Sequence, residues 1–263
     1  MIDFNNIYST ILSKENIYHD IIAKTHKVDK ETAKRIFNSE VETFMNRLSE
    51  YATGEPNATL TIPQGGNIFL EVMTRGLSFS KSANHVYLSR LKGTGTAIGF
   101  QITADGLVYL AQKAGAIDHL SEPVLVQQGE QFSIRSTEDG RQVVDHIIKF
   151  DGRPPLTFEN LLLGYIYIIY PNGNRELSWI SKNRLSQYKD KSVNKSMYND
   201  ESFLQTKVIK HALRKVRKTD FMMDLQNEEE ETIAENMEWE EIPTDTAQHP
   251  ATNEYANQTN EPF

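Results

Sequence analysis

Five side chains near residue 210 fall on one side of any helix that contains them. At 100° per residue, Lys207, Lys210, His211, Arg214 and Lys218 cluster on one face, and Ile209, Ala212, Leu213 and Val216 on roughly the opposite one. Such a helix packs one side on a core and presents a cationic stripe. The chemistry open to a cationic stripe is phosphate binding, in which each neutralised phosphate releases counterions. A merely solvated face is the plainer alternative. Lys182, Arg184, Lys189, Lys191 and Lys195 lie just upstream, in a polar segment 181–199 that also holds Tyr188 and Tyr198. Aromatic rings beside cations suit stacking on unpaired bases, worth about 1–3 kcal/mol per base. Packing of both tyrosines on a sheet is the alternative. Arg90 and Lys92, beside a glycine-rich turn, are further phosphate candidates.

Covalent chemistry finds less support. Gly93-x-Gly95-x-x-x-Gly99 is not followed by Gly-Lys-Ser/Thr, so it reads as a hairpin turn and not as a nucleotide-binding loop. The histidines are scattered and no His-Glu-x-x-His occurs. Asp145 and His146 are neighbours in an expected strand, where adjacent side chains point to opposite faces. Asp118-His119 reads as a helix-to-strand connection. Asp151 and Glu159 would need a third acid to hold a metal. With no cysteine, disulfides, thiolate metal sites and thiol nucleophiles are excluded. The expectation is a non-enzyme without cofactor or metal.

The net charge of −8 averages two unlike parts. Twelve of the 36 acids and none of the 28 Lys and Arg lie in 224–263, which leaves the first 223 residues with a net charge of +4. Within them, 182–218 carries eleven bases against Asp190, Asp200 and Glu201. A locally basic body with an acidic tail suggests a polyanion partner, with the tail as competitor or interaction arm. The expected organisation is a binding domain over 1–223 and a tail over 224–263 too polar to order itself. The start of the chain has neither the basic region nor the apolar core of a secretion signal. Leu161 to Tyr170, the most apolar stretch, falls short of the ~20 residues of a membrane-spanning helix. Together with the missing cysteine this fits a cytoplasmic protein without membrane contact.

These side chains need positioning elements. Apolar spacing predicts helices over 3–25, 29–52 (capped by Asp29) and 66–76, a short helix at 107–114 ended by Gly115, and a last helix over 202–218. Alternation predicts strands at 85–91, 96–102, 123–127, 130–136, 143–150, 161–170 and 175–180. Pro171-Asn172-Gly173-Asn174 is the strongest turn signal. The fold class is α+β: N-terminal helices, a small mostly antiparallel sheet and a closing basic amphipathic helix.

The order of segments resembles the RecT family of phage and prophage single-strand annealing proteins over roughly residues 30–221. Arg35-Ile36-Phe37-Asn38-Ser39-Glu40 with Phe44 looks like that family's N-terminal helix. Val72-Met73 through Gly76-Leu77, then Val86-Tyr87-Leu88, looks like its helix, Gly-Leu turn and Tyr-Leu strand. Ile102 to Gly115, with Gly106-Leu107 and Leu110-Ala111, resembles its strand leading into a Gly-Leu helix. Gln131-Phe132, Gly140 and His146 fit the strands that follow, and Val208-Ile209-Lys210-His211 resembles the Val-Ile-Arg-Arg run of its last helix. Ala104-Asp105 departs from the family's aromatic and basic pair before the glycine, and His211 stands where arginine is common. The resemblance implies single-stranded DNA binding in an inter-subunit groove, ATP-independent annealing through a duplex intermediate, homo-oligomeric rings or filaments, and a partner exonuclease. Asn260-Glu261-Pro262-Phe263 resembles the acidic Pro-Phe tips of bacterial single-stranded-DNA-binding proteins. That makes Glu261, Pro262 and Phe263 candidates for docking a host partner. A plain single-stranded DNA coat protein and a metal-dependent nuclease are the rival readings.

Overall fold

The protein is described by a computed structural model covering residues 2–91, 95–138, 140–148, 152–192 and 194–216. Lys92, Asp151, Lys218 and the acidic segment with Glu261, Pro262 and Phe263 lie outside the described residues.

Helices α1 (Phe4–Leu12), α2 (Glu15–His26) and α3 (Lys30–Gly54) come first. The single helix expected over 3–25 is two, because the chain turns at Ser13-Lys14, where the Ser13 hydroxyl donates to the Thr10 carbonyl at 2.8 Å. Neither residue is a glycine or proline, so the sequence holds no warning of the break. Asp29 caps α3 as expected, accepting the Thr32 N–H at 2.8 Å. Helix α4 (Ile62–Arg75) starts four residues before the sequence suggests. Thr61 and Gln64 form a capping box there and Pro63 occupies the first turn, which together stabilise the N-terminus. Phe37 and Phe44 of α3, Phe69 of α4 and Phe79 pack as rings with centroids 4.8–6.0 Å apart, all fully buried. Each such ring contributes roughly 1.5–3 kcal/mol by burial.

Strands β1 (Val86–Arg90) and β2 (Ile98–Ile102) pair as an antiparallel hairpin, followed by α5 (Ala104–Lys113). A Cβ on Gly106 would overlap the His85 carbonyl, so the start of α5 meets the start of β1 only because this residue is glycine. The second sheet centres on β7 (Leu161–Ile169). One edge of β7 takes β8 (Arg175–Ser181); the other takes β3 (His119–Leu120) and β4 (Val124–Gln127) in succession. Strand β3 begins at His119, inside the Asp118-His119 stretch that the sequence reads as a helix-to-strand connection.

The hairpin of β5 (Gln131–Ser136) and β6 (Gln142–Ile147) lies over this sheet. It is pinned through buried His146, whose Nδ1 lies 3.3 Å from the Tyr165 hydroxyl and whose Nε2 lies 3.3 Å from the buried Glu130 carboxylate. Asp145 faces the other way, to an exposed pair with Arg135 at 2.8 Å, so the two neighbours share no site.

The segment 181–199 is where the structure departs most from the expectation of a polar connection. It holds helix α6 (Lys182–Asp190), capped by the Ser181 hydroxyl, and a 3-10 helix (Lys195–Asn199). Helix α7 (Glu201–Leu213), capped by Asp200, closes the chain on β7 and β8. One continuous core joins the α1–α4 helices to β7 and α7. The α+β class stands.

Candidate nucleic-acid interface

Helix α7 owes its position to Gly164. A Cβ there would overlap Cγ2 of Val208, so the helix rests directly on the backbone of β7. The buried stripe of α7 is Leu204, Val208, Ala212 and Leu213, continued by Val216; Ile209 is only half-buried. The stripe is rotated from the one expected because Val208, and not its neighbour Ile209, makes the contact on Gly164 of β7.

The opposite face is not an open row of solvated cations. Lys207, Lys210, His211 and Arg214 are all half-buried. Arg214 meets α6 through Tyr188: its Nη1 donates to the Tyr188 hydroxyl at 2.9 Å, and Arg184 Nε donates to the same oxygen at 3.3 Å. The two guanidiniums also lie over the Tyr188 ring, at 5.3 Å for Arg184 and 5.7 Å for Arg214. That is within the ~6 Å reach of a cation–π contact. Tyr188 thereby holds two cations from different helices around one aromatic ring.

His211 sits among these groups. Burial pushes its imidazole below the ordinary histidine value, and Lys215, Arg214 and Arg184 push the same way, against a hydrogen bond to the Trp179 backbone that favours the charged form. Its Nδ1 is buried and meets no hydrogen-bond partner among the described residues. Burial and the surrounding cations thus favour the uncharged ring, and a negative charge placed nearby would act the other way.

A second group of cations gathers on aromatic rings. Lys189 lies 4.2 Å and Lys182 5.8 Å from the Phe158 ring centroid, and Lys207 lies 4.7 Å from that of Phe203. Between these two phenylalanines stands Tyr198, edge-on to each at 5.8 and 5.1 Å. Tyr198 is 1% exposed, and burial raises its phenol to about 12. It belongs to the core and offers no face to a base, which corrects its assignment as a stacking residue. Lys182 also donates to the Glu159 carbonyl at 2.5 Å and lies 3.8 Å from the Glu159 carboxylate.

The structure thus brings Arg184, Tyr188, His211 and Arg214 together, and Lys182, Lys189 and Lys207 around a common aromatic spine. Lys191 is exposed beyond the end of α6. Arg90 stands apart on the β1–β2 hairpin, paired with Glu55 at the end of α3. Three residues escape the sequence reading. Exposed Lys215 lies in the basic run itself, and Phe158 and Phe203 are marked only by the lysines above them. Among the described residues, no three His, Asp or Glu side chains converge on a metal-sized site. No described helix is long and apolar enough to cross a membrane.

A family model, that of the RecT family, matches residues 66–244, more than half of the chain. The match begins inside α4 and takes in every strand and α5, α6 and α7. Helices α1 to α3 precede it, including the α3 residues whose sequence resembles the family's first helix. It also runs past residue 223, into the acidic segment. Among curated proteins, none matches the chain.

Proposed function

The chain belongs to the RecT family of phage single-strand annealing proteins, and on that premise we propose that it binds single-stranded DNA along the α6–α7 face and anneals it to its complement without a nucleotide cofactor. The observation that carries the reading is the Tyr188 arrangement, two guanidiniums fixed on one phenol beside a histidine whose uncharged ring is favoured by burial. Fixed guanidiniums match phosphate oxygens in fork geometry and lose little freedom on binding. Residues 182–216 carry nine Lys and Arg against three acids, which suits a polyanion and not a small neutral ligand.

Annealing breaks and forms no covalent bond. The protein's part is to grip the sugar–phosphate backbone and leave the base edges open. Pairing then supplies both specificity and free energy, about 1.4 kcal/mol per base-pair step. One domain of this size grips only a few nucleotides, so holding a longer strand in register calls for several copies side by side, as a ring or filament. The same reading includes an exonuclease that supplies the single strands, and a host single-stranded-DNA-binding protein or its interactors.

Annealing of two complementary oligonucleotides, followed on a gel without ATP, tests the proposal. The wild type should accelerate pairing, and the Arg184→Ala/Arg214→Ala double variant should not. Strict dependence on ATP would overturn the reading. Tight binding without faster pairing would make the protein a coat protein instead.

A further inference from the structure

A third group of cations meets where α2, α4 and α5 end and β1 begins. Helix α2 closes with His26 and the left-handed Lys27, and α4 closes with Arg75 and the left-handed Gly76. His85 leads into β1, and α5 contributes Asp105, Tyr109 and Lys113. Because Gly76 has no side chain, the others fill its place. Where its Cβ would stand, the Lys113 ammonium is nearest, the Thr25 methyl is at 2.7 Å and His26 Nε2 at 3.5 Å. Lys113 Nζ donates to the Arg75 carbonyl at 3.1 Å and lies 5.7 Å from the Tyr109 ring centroid. The His85 ring stacks on Tyr109 at 4.4 Å, and its Nδ1 is buried with no hydrogen-bond partner among the described residues. Lys27 and Lys113 are open to solvent, whereas His26 and His85 are half-buried.

Two carboxylates stand at the edge of this group, and each has a hydrogen-bond partner of its own. Glu71 pairs with Arg75 at 2.7 Å, and Asp105 accepts from the Asn84 amide at 2.7 Å. Burial holds His26, His85 and Lys113 below their ordinary values; Lys113 and His85 further depress His26, Lys27 further depresses Lys113, and the Asp105 carboxylate acts the other way on His85, favouring its charged form without outweighing burial. The α4 carbonyl accounts for one ammonium proton of Lys113. It does not account for two imidazoles and a second lysine collected around it. An anion placed among them would replace mutual repulsion by attraction.

We infer that His26, His85 and Lys113, with Lys27 beside them, form an anion site that takes a phosphate group, and that the phosphate belongs to a nucleic-acid backbone gripped at a second point. The nucleic-acid half of this rests on the DNA-binding reading above; the phosphate half does not. Occupancy favours the protonated imidazoles, so binding of a backbone phosphodiester, which stays singly charged in this range, takes up protons and tightens as pH falls from 8 toward 6.

The test follows the histidine ring resonances of the full chain by NMR through a pH titration. It is run alone, with inorganic phosphate, and with a short single-stranded oligonucleotide. Millimolar phosphate should raise the midpoints of His26 and His85. Lys113→Gln should abolish the rise. Lys27→Gln, an exposed change that spares the Arg75 carbonyl contact, should weaken it. The oligonucleotide should produce the same rise at far lower concentration. Midpoints of His26 and His85 that ignore saturating phosphate overturn the site. If phosphate raises them but an oligonucleotide that perturbs His211 does not, the site takes a free anion and the nucleic-acid half is overturned. An oligonucleotide that perturbs no histidine defeats the DNA-binding reading, while the phosphate result still decides the site.

Discussion

Tyr188 offers a hydroxyl that two arginines use and a ring that both overlie. With guanidiniums over its ring, it serves better to organise cations than as a bare platform for a base. Tyr188→Phe removes only the shared acceptor, so it should weaken oligonucleotide binding by about 0.5–1.5 kcal/mol. An unchanged affinity in Tyr188→Phe, with a loss confined to Tyr188→Ala, would instead assign the role to the ring and refute the shared hydroxyl. Arg214→Ala should also lower the slope of log affinity against log salt by about 0.7, the value for one lost phosphate contact on a single strand. His211, His26 and His85 all lie below their ordinary values, chiefly through burial. The unfolded chain therefore binds more protons than the folded one once pH drops below the ordinary histidine value of about 6.5. Stability should be full above that pH and fall below it. Thermal melts at pH 7.5 and 5.5 would measure the loss, and His211→Gln should shrink it; a pH-independent melting temperature would refute the assignment. At this scale the sequence shows which residue types could hold phosphate, but not which of them meet. Tyr188 and Tyr198 look alike in sequence, and it is packing between Phe158, forty residues before it, and Phe203 that makes the latter core.

Gly164 sets how closely α7 approaches the sheet, and so where its cations stand relative to α6. Gly164→Ala should push against Val208 and destabilise the fold by about 1–3 kcal/mol, the usual cost of overpacking. DNA affinity should drop with it. Adding Val208→Ala makes room for the new methyl, so the double variant should recover part of both losses. Equal affinity in Gly164→Ala and wild type would show that α7 tolerates displacement and is not held in register for binding. The strands and the hairpin at Asn172-Gly173 are legible because alternation and turn chemistry are local signals. Helix α6 is not, since it buries only Leu185 in nine residues and leaves no apolar period to read. The capping box at Thr61 and Gln64 lies in plain view before α4, yet Gly65 and Gly66 mask it by resembling a loop. Gly65 is in fact required there, because a Cβ would press on the Ile7 side chain of α1.

Across the whole chain, charge is divided so that one part resembles the ligand of the other. Residues 224–263 carry twelve acids and no Lys or Arg, while 182–216 holds a net of +6. A tethered polyanion acts at a local concentration set by its tether and not by dilution, so the charge division leads to the expectation that 224–263 competes with DNA for the α6–α7 cations. Deleting 224–263 should therefore tighten oligonucleotide binding. The gain should be greatest near 10 mM salt, where charges act over about 30 Å, and should shrink above 0.1 M, where they act over about 10 Å. Deleting only Pro262 and Phe263 removes no acidic side chain and should leave DNA affinity unchanged. Neutralising Glu228, Glu229, Glu230 and Glu231 to Gln should reproduce much of the full deletion without shortening the chain. These three variants distinguish charge from length and from the Pro-Phe pair. A tail deletion that leaves affinity unchanged at 10 mM salt would remove competition as its role. A gain that persists undiminished at high salt would show that the segment blocks the face by packing and not by charge.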